Sequence, residues 1–305
     1  MLRYVAKRLL QTIPTLFIVT FIVFFLMNVV GDPARLLLPE DASEEAVAAL
    51  RETLELDRPI LYRYGKYLAG LAHGDTGTSF RYNEPASRLV LERLPVTLKL
   101  AGASLTLGVL MAVPLGVISA VRRNTWIDLL ATGAAVIGRS MPNFWLGIML
   151  ILLLAVRWKL LPVSGAASWK HFILPTVTIG TGLAASLTRL MRSSMLEVIG
   201  QDYIRTARAK GLAERVVIFK HALRNALIPV LTVLGLQVAI LIDGAFITEQ
   251  VFAIPGMGQL GVRSLQTLDF AVVQTVVLLG TIVTVASSLV IDLLYTVIDP
   301  RIRYS

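Results

Sequence analysis

Few of the residues that ordinarily do chemistry stand at working spacings in this chain. Its 305 residues include no cysteine, which removes thiolate nucleophiles, disulfides and cysteine-ligated metal together. The three histidines, His73, His171 and His221, fall in separate polar segments, so no metal-ligand spacing joins them and each reads as an ordinary surface or interfacial histidine. Gly256-Met-Gly258-Gln-Leu-Gly261 satisfies the dinucleotide fingerprint G-x-G-x-x-G letter for letter. That fingerprint works only after a strand and inside a βαβ unit, and neither is in evidence, so the stretch reads as a tight turn. No G-x-x-x-x-G-K-[ST] occurs, so the chain brings no P-loop ATPase of its own. No nucleophile, base and orienting acid cluster by spacing. We therefore expect no catalytic residue, no metal site and no cofactor in this chain.

Charged groups in apolar surroundings are the second place where chemistry is expected. Arg139, Asp243, Glu249 and Asp292 lie in or beside long apolar runs, where a charge at the bilayer centre costs several kcal/mol. Arg139 and Asp292 are expected near one membrane interface, where they can snorkel, and Glu249 at the other. Asp243 is the deepest, and either lines a water-filled path or is a satisfied structural carboxylate. Ser140, Asn143, Gln237 and Asp243 are the candidates for a translocation pathway. Glu249, Pro255 and Gly256 are the candidates for an outer gate.

The elements that must position these residues follow from composition. The chain is 55% hydrophobic and 16% charged, with a mean hydropathy of +0.72, too apolar for an ordinary soluble domain. The apolar residues come in long runs and not in alternation, which predicts a helical bundle in a membrane and not a barrel. Spanning about 30 Å of hydrocarbon takes roughly 20 residues, and six runs qualify: about 9–30, 100–121, 134–156, 172–191, 227–248 and 272–297. The first follows Arg3, Lys7 and Arg8 and so imitates a signal peptide. It is long for a cleavable segment, and Asn28-Val-Val-Gly-Asp-Pro33 is no small-x-small site, so it is expected to stay as a membrane helix.

The net charge of +9 does not indicate nucleic acid, because the cations sit near the ends of apolar runs, where they set orientation. Arg3, Lys7 and Arg8, then Arg122 and Arg123, then the basic stretch from Arg192 to Arg224 predict both termini on the cytoplasmic side. Asp299-Pro-Arg-Ile-Arg303 agrees, while Arg157, Lys159 and Lys170 oppose weakly.

Residues 31–99 carry nine basic against eleven acidic groups and read as an exported, helical insertion. Asp41-Ala-Ser-Glu44 has the form of a helix start, with Val47, Leu50 and Leu54 as its apolar stripe. A second helix is expected from Pro59, presenting Leu61, Tyr64, Leu68 and Leu71 before Gly74-Asp-Thr-Gly77 turns the chain. Residues 85–94 are expected as an interfacial elbow leading into the second span. The domain plan is thus 1–30, 31–99, a membrane core over 100–297 and a tail over 298–305.

The segment about 192–226, between the fourth and fifth spans, is the most informative. In Asp202-Tyr-Ile-Arg-Thr-Ala-Arg-Ala-Lys-Gly211-Leu, a short helix with small Ala207 and Ala209 can enter a groove. Arg205, Arg208 and Lys210 can meet an acidic or polar partner surface, and Gly211 can take the left-handed conformation that ends a helix. Charge alone would favour attraction to anionic lipid, and it is the ordered motif that reverses this.

Tyr203-Ile-Arg-Thr-Ala-Arg-Ala-Lys-Gly-Leu212 resembles the loop by which permeases of ATP-binding-cassette (ABC) importers grip their ATPases, in the form found in the dipeptide, oligopeptide, glutathione and nickel systems. Of the common motif, Glu-Ala-Ala, three residues, Gly, nine residues and Ile-x-Leu-Pro, the glycine aligns with Gly211 and the second alanine with Ala207. Arg205 and Thr206 replace the first two letters, and His221-Ala-Leu-Arg224 stands where Ile-x-Leu-Pro would, with Pro229 five residues late. Gly31-Asp-Pro33, Leu94-Pro-Val-Thr97, Ser140-Met-Pro-Asn-Phe144, Ile173-Leu-Pro175, Glu249-Gln-Val-Phe-Ala-Ile-Pro-Gly256 and Asp299-Pro-Arg-Ile-Arg303 are similar to further landmarks of that family, in order.

The resemblance implies an all-α, six-span permease of the type I importer fold in a bacterial inner membrane, importing dipeptides or oligopeptides, with glutathione or nickel as alternatives. It implies docking by Tyr203, Arg205, Thr206, Ala207, Arg208, Ala209, Lys210, Gly211 and Leu212. The implied partners are a second homologous permease, two cytoplasmic ATPases that bind the ATP and Mg, a periplasmic or lipid-anchored solute-binding protein, and membrane lipid. Rivals of other classes are a polytopic membrane enzyme, which would need convergent catalytic groups at one depth, and a self-contained secondary transporter.

Overall fold

The computed structural model describes residues 2–30, 34–35, 38–39 and 41–298, with side chains placed for 10–29, 34–35, 38–39, 41–237, 241–242 and 245–290. The landmarks Gly31-Asp-Pro33 and Asp299–Arg303 lie outside the described residues, as do the side chains of Asp243 and Asp292. Among the described residues the chain is all-α, with one isolated bridge between Thr78 and Pro85. Five helices are long and apolar enough to cross a membrane, or six if one bent pair counts as a single span.

Two compact units emerge: residues 1–96 with 255–285, and residues 97–254 with 286–305. The first holds α1 (Leu2–Val30), α2 (Glu44–Thr53) and α3 (Ile60–Ala72). Aromatic rings join α3 to α1: Tyr64 packs edge-on against Phe17 and Phe21, and its hydroxyl lies 2.9 Å from Thr20 Oγ1 and donates to the Phe17 carbonyl at 2.8 Å. Burial pushes the neighbouring Tyr67 phenol up to about 12. The cap of α2 differs from expectation. Ser43, and not Asp41, accepts the Ala46 N–H at 3.2 Å, because it immediately precedes the first helical residue. The α3 stripe is also narrower than its sequence suggests, with Tyr64 buried but Leu61 exposed.

The expected elbow over 85–94 is absent. Residues Ala86–Val121 form one continuous helix, α4, about 54 Å long at 1.5 Å per residue and thus longer than the hydrocarbon core is thick. Pro95 and Pro114 are accommodated inside it. The third expected span, 134–156, is likewise not one rod. Helix α5 (Trp126–Ser140) and helix α6 (Asn143–Leu150, continuing as a π-helix Ile151–Arg157) meet at 101°. Pro142 explains the break: it disfavours α conformation at Met141, which sits at ψ 125°, and starts the next helix.

The second unit is organised on α7 (Ile173–Ile199), which packs against α5, α6 and α10 (Leu223–Val251). Its buried side includes Leu183, Leu187, Met191 and Met195, the three-to-four spacing of a core stripe. Gly116 of α4 lies so close to α7 that a Cβ there would be 2.5 Å from Met191 Cβ and 2.9 Å from the Thr188 carbonyl oxygen. Two short helices, α8 (Asp202–Ala209) and α9 (Glu214–Val216), lead through a π-helical turn, Val217–Ala222, into α10.

In the first unit, the G-x-G-x-x-G stretch is a helix start and not a turn. Gly256 is the N-cap of α11 (Met257–Gln266), and Gly258 and Gly261 lie within that helix. The final helix, α12, runs Phe270–Ile298. The buried Ser79 hydroxyl donates to the buried Asp269 carboxylate, tying the turn after α3 to the start of α12.

Candidate functional site

Helix α8 is amphipathic in eight residues. Ile204 and Ala207 are buried within this chain, while Tyr203, Arg205, Thr206, Arg208, Ala209, Lys210, Gly211 and Leu212 are exposed. Ala207 therefore anchors the helix to its own chain and does not project outward, which corrects its expected place in a partner's groove. The helix ends in a full Schellman motif: the Gly211 N–H bonds the Arg208 carbonyl at 2.9 Å and the Leu212 N–H reaches the Ala207 carbonyl at 3.4 Å. Gly211 takes φ +75°, a conformation a β-branched residue adopts only with strain.

The basic face is partly neutralised. Arg208 donates twice to Glu214, at 2.7 and 3.1 Å, and this pairing raises its already high pKa. Arg205 faces Asp202 at 3.4 Å, a long and exposed contact. Asn225 donates to the Tyr203 hydroxyl at 2.7 Å, holding α8 against the start of α10. What α8 presents outward is thus Thr206, Ala209, Lys210, Gly211 and Leu212, flanked by Arg205 and Tyr203.

The second constellation surrounds the break between α5 and α6. A cavity of about 290 Å³ is lined by Arg139, Asn143, Ser186 and Gln237, with Leu183 and Leu241 among its apolar walls. Arg139 Nη1 donates to Ser186 Oγ at 2.6 Å. Of the four pathway candidates, Asn143 and Gln237 meet here. Ser140 turns back to the Val136 carbonyl at 2.9 Å. Asp243 lies in α10, its side chain outside the described residues.

Glu249, expected at the outer interface, is enclosed by protein. It is fully buried in the second unit and accepts a hydrogen bond from Thr97 Oγ1 at 2.6 Å, joining α10 to α4. Burial without a hydrogen-bond donor would be costly, and Thr97 supplies one. Beyond α10, Phe252 is also buried, and its carbonyl accepts the Gly165 N–H at 3.0 Å. Of the other gate candidates, Pro255 is half-buried and Gly256 buried.

Sequence reasoning missed Asp128. Nearly fully buried near the start of α5, it accepts two bonds from Arg192 of α7, both 2.7 Å, one from Ser119 of α4, and the Asn124 N–H at 3.0 Å. An acid at the first turn of a helix is unremarkable in a sequence. The available signal was Arg192 at the far end of a long apolar run, which needs a partner.

The helical architecture defines a chain with five or six segments able to cross a membrane, and comparison with known proteins makes its class specific. Residues 112–304 match the family described as the binding-protein-dependent transport system inner membrane component, and residues 1–101 match the N-terminal component of the same systems. The chain belongs to this family: it is an ABC importer permease of the dipeptide/oligopeptide group, a multi-pass inner-membrane transport component. It is 42% identical over its full 305 residues, and over the whole of the relative, to the glutathione transport system permease protein GsiC of Escherichia coli strain K12. With GsiC of Salmonella paratyphi A the identity is 43% over the same span. In fold it resembles the inward-facing MetNI methionine ABC transporter, with TM-score 0.57 and 20% identity over 69% of this chain and 96% of that one. An amino acid ABC transporter crystallised with histidines gives TM-score 0.54 and 16% identity, over 68% and 93%.

Proposed function

We propose that the chain carries glutathione or small peptides of similar chemistry inward across a bacterial inner membrane, working with a second permease, two ATPases and a solute-binding protein. Identity of 42% over both full lengths to glutathione permeases carries this reading. Both termini and the α8 segment are cytoplasmic in it, and the segment between α1 and α4 is periplasmic. ATP and Mg belong to the ATPases. The outward face of α8 seats on them, with Lys210 and Arg205 toward acidic or polar surface and Leu212 as the apolar contact. ATPase closure pushes α8, which Ile204, Ala207 and Asn225 hold to the bundle, and so biases it between inward- and outward-facing states.

Two variants test the docking. Gly211→Val forces a branched residue into the left-handed region, at a local cost of about 1–2 kcal/mol. Ala209→Glu puts a negative charge on the outward basic face while leaving the buried anchor intact. Each should leave membrane insertion as in the parent but lower uptake several-fold and separate ATP hydrolysis from transport. Normal uptake by both would defeat the docking assignment. Mass spectrometry of proteins co-purifying with the tagged chain should return a second permease and P-loop ATPases.

A further inference from the structure

We propose that the cavity at the α5–α6 break is a carboxylate-reading subsite on the solute path, with Arg139 as its anion-binding group; this rests on the importer reading above. A guanidinium carries five N–H donors, and among the described residues the side-chain partner of Arg139 is the Ser186 hydroxyl. No acidic side chain lines the cavity among the described residues. Arg139 is exposed to the cavity at the break, with a neutral hydroxyl for company, so its demand for an anionic partner is left to water or a ligand.

A carboxylate arriving in the cavity meets that demand with paired N–H···O bonds in the planar geometry that arginine favours. The Asn143 and Gln237 amides, on α6 and α10, supply both donors and acceptors suited to a peptide bond. About 290 Å³ lies at the small end of ligand sites, room for a terminal residue and its carboxylate but not for a whole oligopeptide. A bare divalent cation would instead meet a fixed positive charge, so the site favours glutathione and short peptides over free nickel ion.

The test uses the complete transporter, with its partner subunits and binding protein, in proteoliposomes. The probes are glutathione, dialanine and the fully amidated form of each, in which no carboxylate remains, and the variants are Arg139→Gln and Arg139→Lys. A charge-assisted pair lost from the path should lower uptake of the acids about tenfold or more in Arg139→Gln. Arg139→Lys should fall between, and the amides should change much less between parent and variant. Complex yield should match the parent. Acid uptake within twofold of the parent in Arg139→Gln, or equal loss for acid and amide, would overturn the subsite while leaving the importer intact. A parent complex that hydrolyses ATP but moves neither glutathione nor dialanine would instead refute the glutathione-or-peptide reading, and the subsite with it.

Discussion

The α5–α7 contact holds an arginine at each end, and the two are in opposite circumstances. At one end Arg192 is clamped by the two oxygens of Asp128, which also accepts from Ser119 and the Asn124 backbone. At the other, eleven residues or about 16 Å further along α5, Arg139 has a serine hydroxyl and an open cavity. The first arrangement spends every strong acceptor on holding α4, α5 and α7 together. The second leaves most of its donors uncommitted, which serves binding and contributes little to the fold. One pair of helices thus carries a fixed end and a responsive end.

The most damaging way to break this comparison is at the fixed end. Asp128→Ala removes the acceptor for Arg192, Ser119 and Asn124 together, and leaving a partly buried guanidinium unpaired should cost about 3 kcal/mol. Thermal unfolding of the purified complex should show the largest loss of Tm among the variants considered. Replacing both partners, Asp128→Leu with Arg192→Met, should recover much of it, because two apolar groups of similar bulk leave no orphaned charge. If the double variant is stable but couples ATP hydrolysis to uptake poorly, the clamp has a mechanical role as well.

A smaller loss is expected where α4 crosses α7 near the clamp. Gly116→Val would place side-chain atoms inside the space of Met191 and the Thr188 carbonyl, so the helices must separate, at about 2 kcal/mol. Gly116→Ala should cost less, and a Tm equal to the parent's for valine would show that the contact is looser than its geometry.

How much of this was legible in the sequence depends on whether the signal was local. The apolar runs announced the spans, and the Pro59 helix start and the Gly211 terminus could be read from single residues with fixed conformational preferences. The bend at Ser140–Pro142 was legible in principle from proline, yet the apolar run continues across it, and hydropathy cannot distinguish a rod from a 101° break. The clamp and the Thr97–Glu249 bond were not legible, because each joins residues 64 and 152 positions apart. Ala207 misled in a different way, since a small residue in a helix serves equally to admit a partner and to let the helix lie close on its own chain.

The mildest perturbation sharpens the comparison most. Ser186→Ala removes the hydroxyl that Arg139 touches, as Asp128→Ala removes the carboxylate that Arg192 touches, so the two variants delete the equivalent acceptor at opposite ends. Ser186 also donates weakly to the Gly182 carbonyl at 3.3 Å, a bond whose loss an α-helix tolerates because that carbonyl keeps its backbone partner. The guanidinium faces the cavity and can be solvated there, so the stability cost should stay within about 0.5 kcal/mol. Uptake should change by roughly threefold at most, since arginine retains its charge and loses one fixed orientation. A Tm loss as large as that of Asp128→Ala would mean that Arg139 is a structural pin like Arg192, and that the α5–α7 pair has two fixed ends.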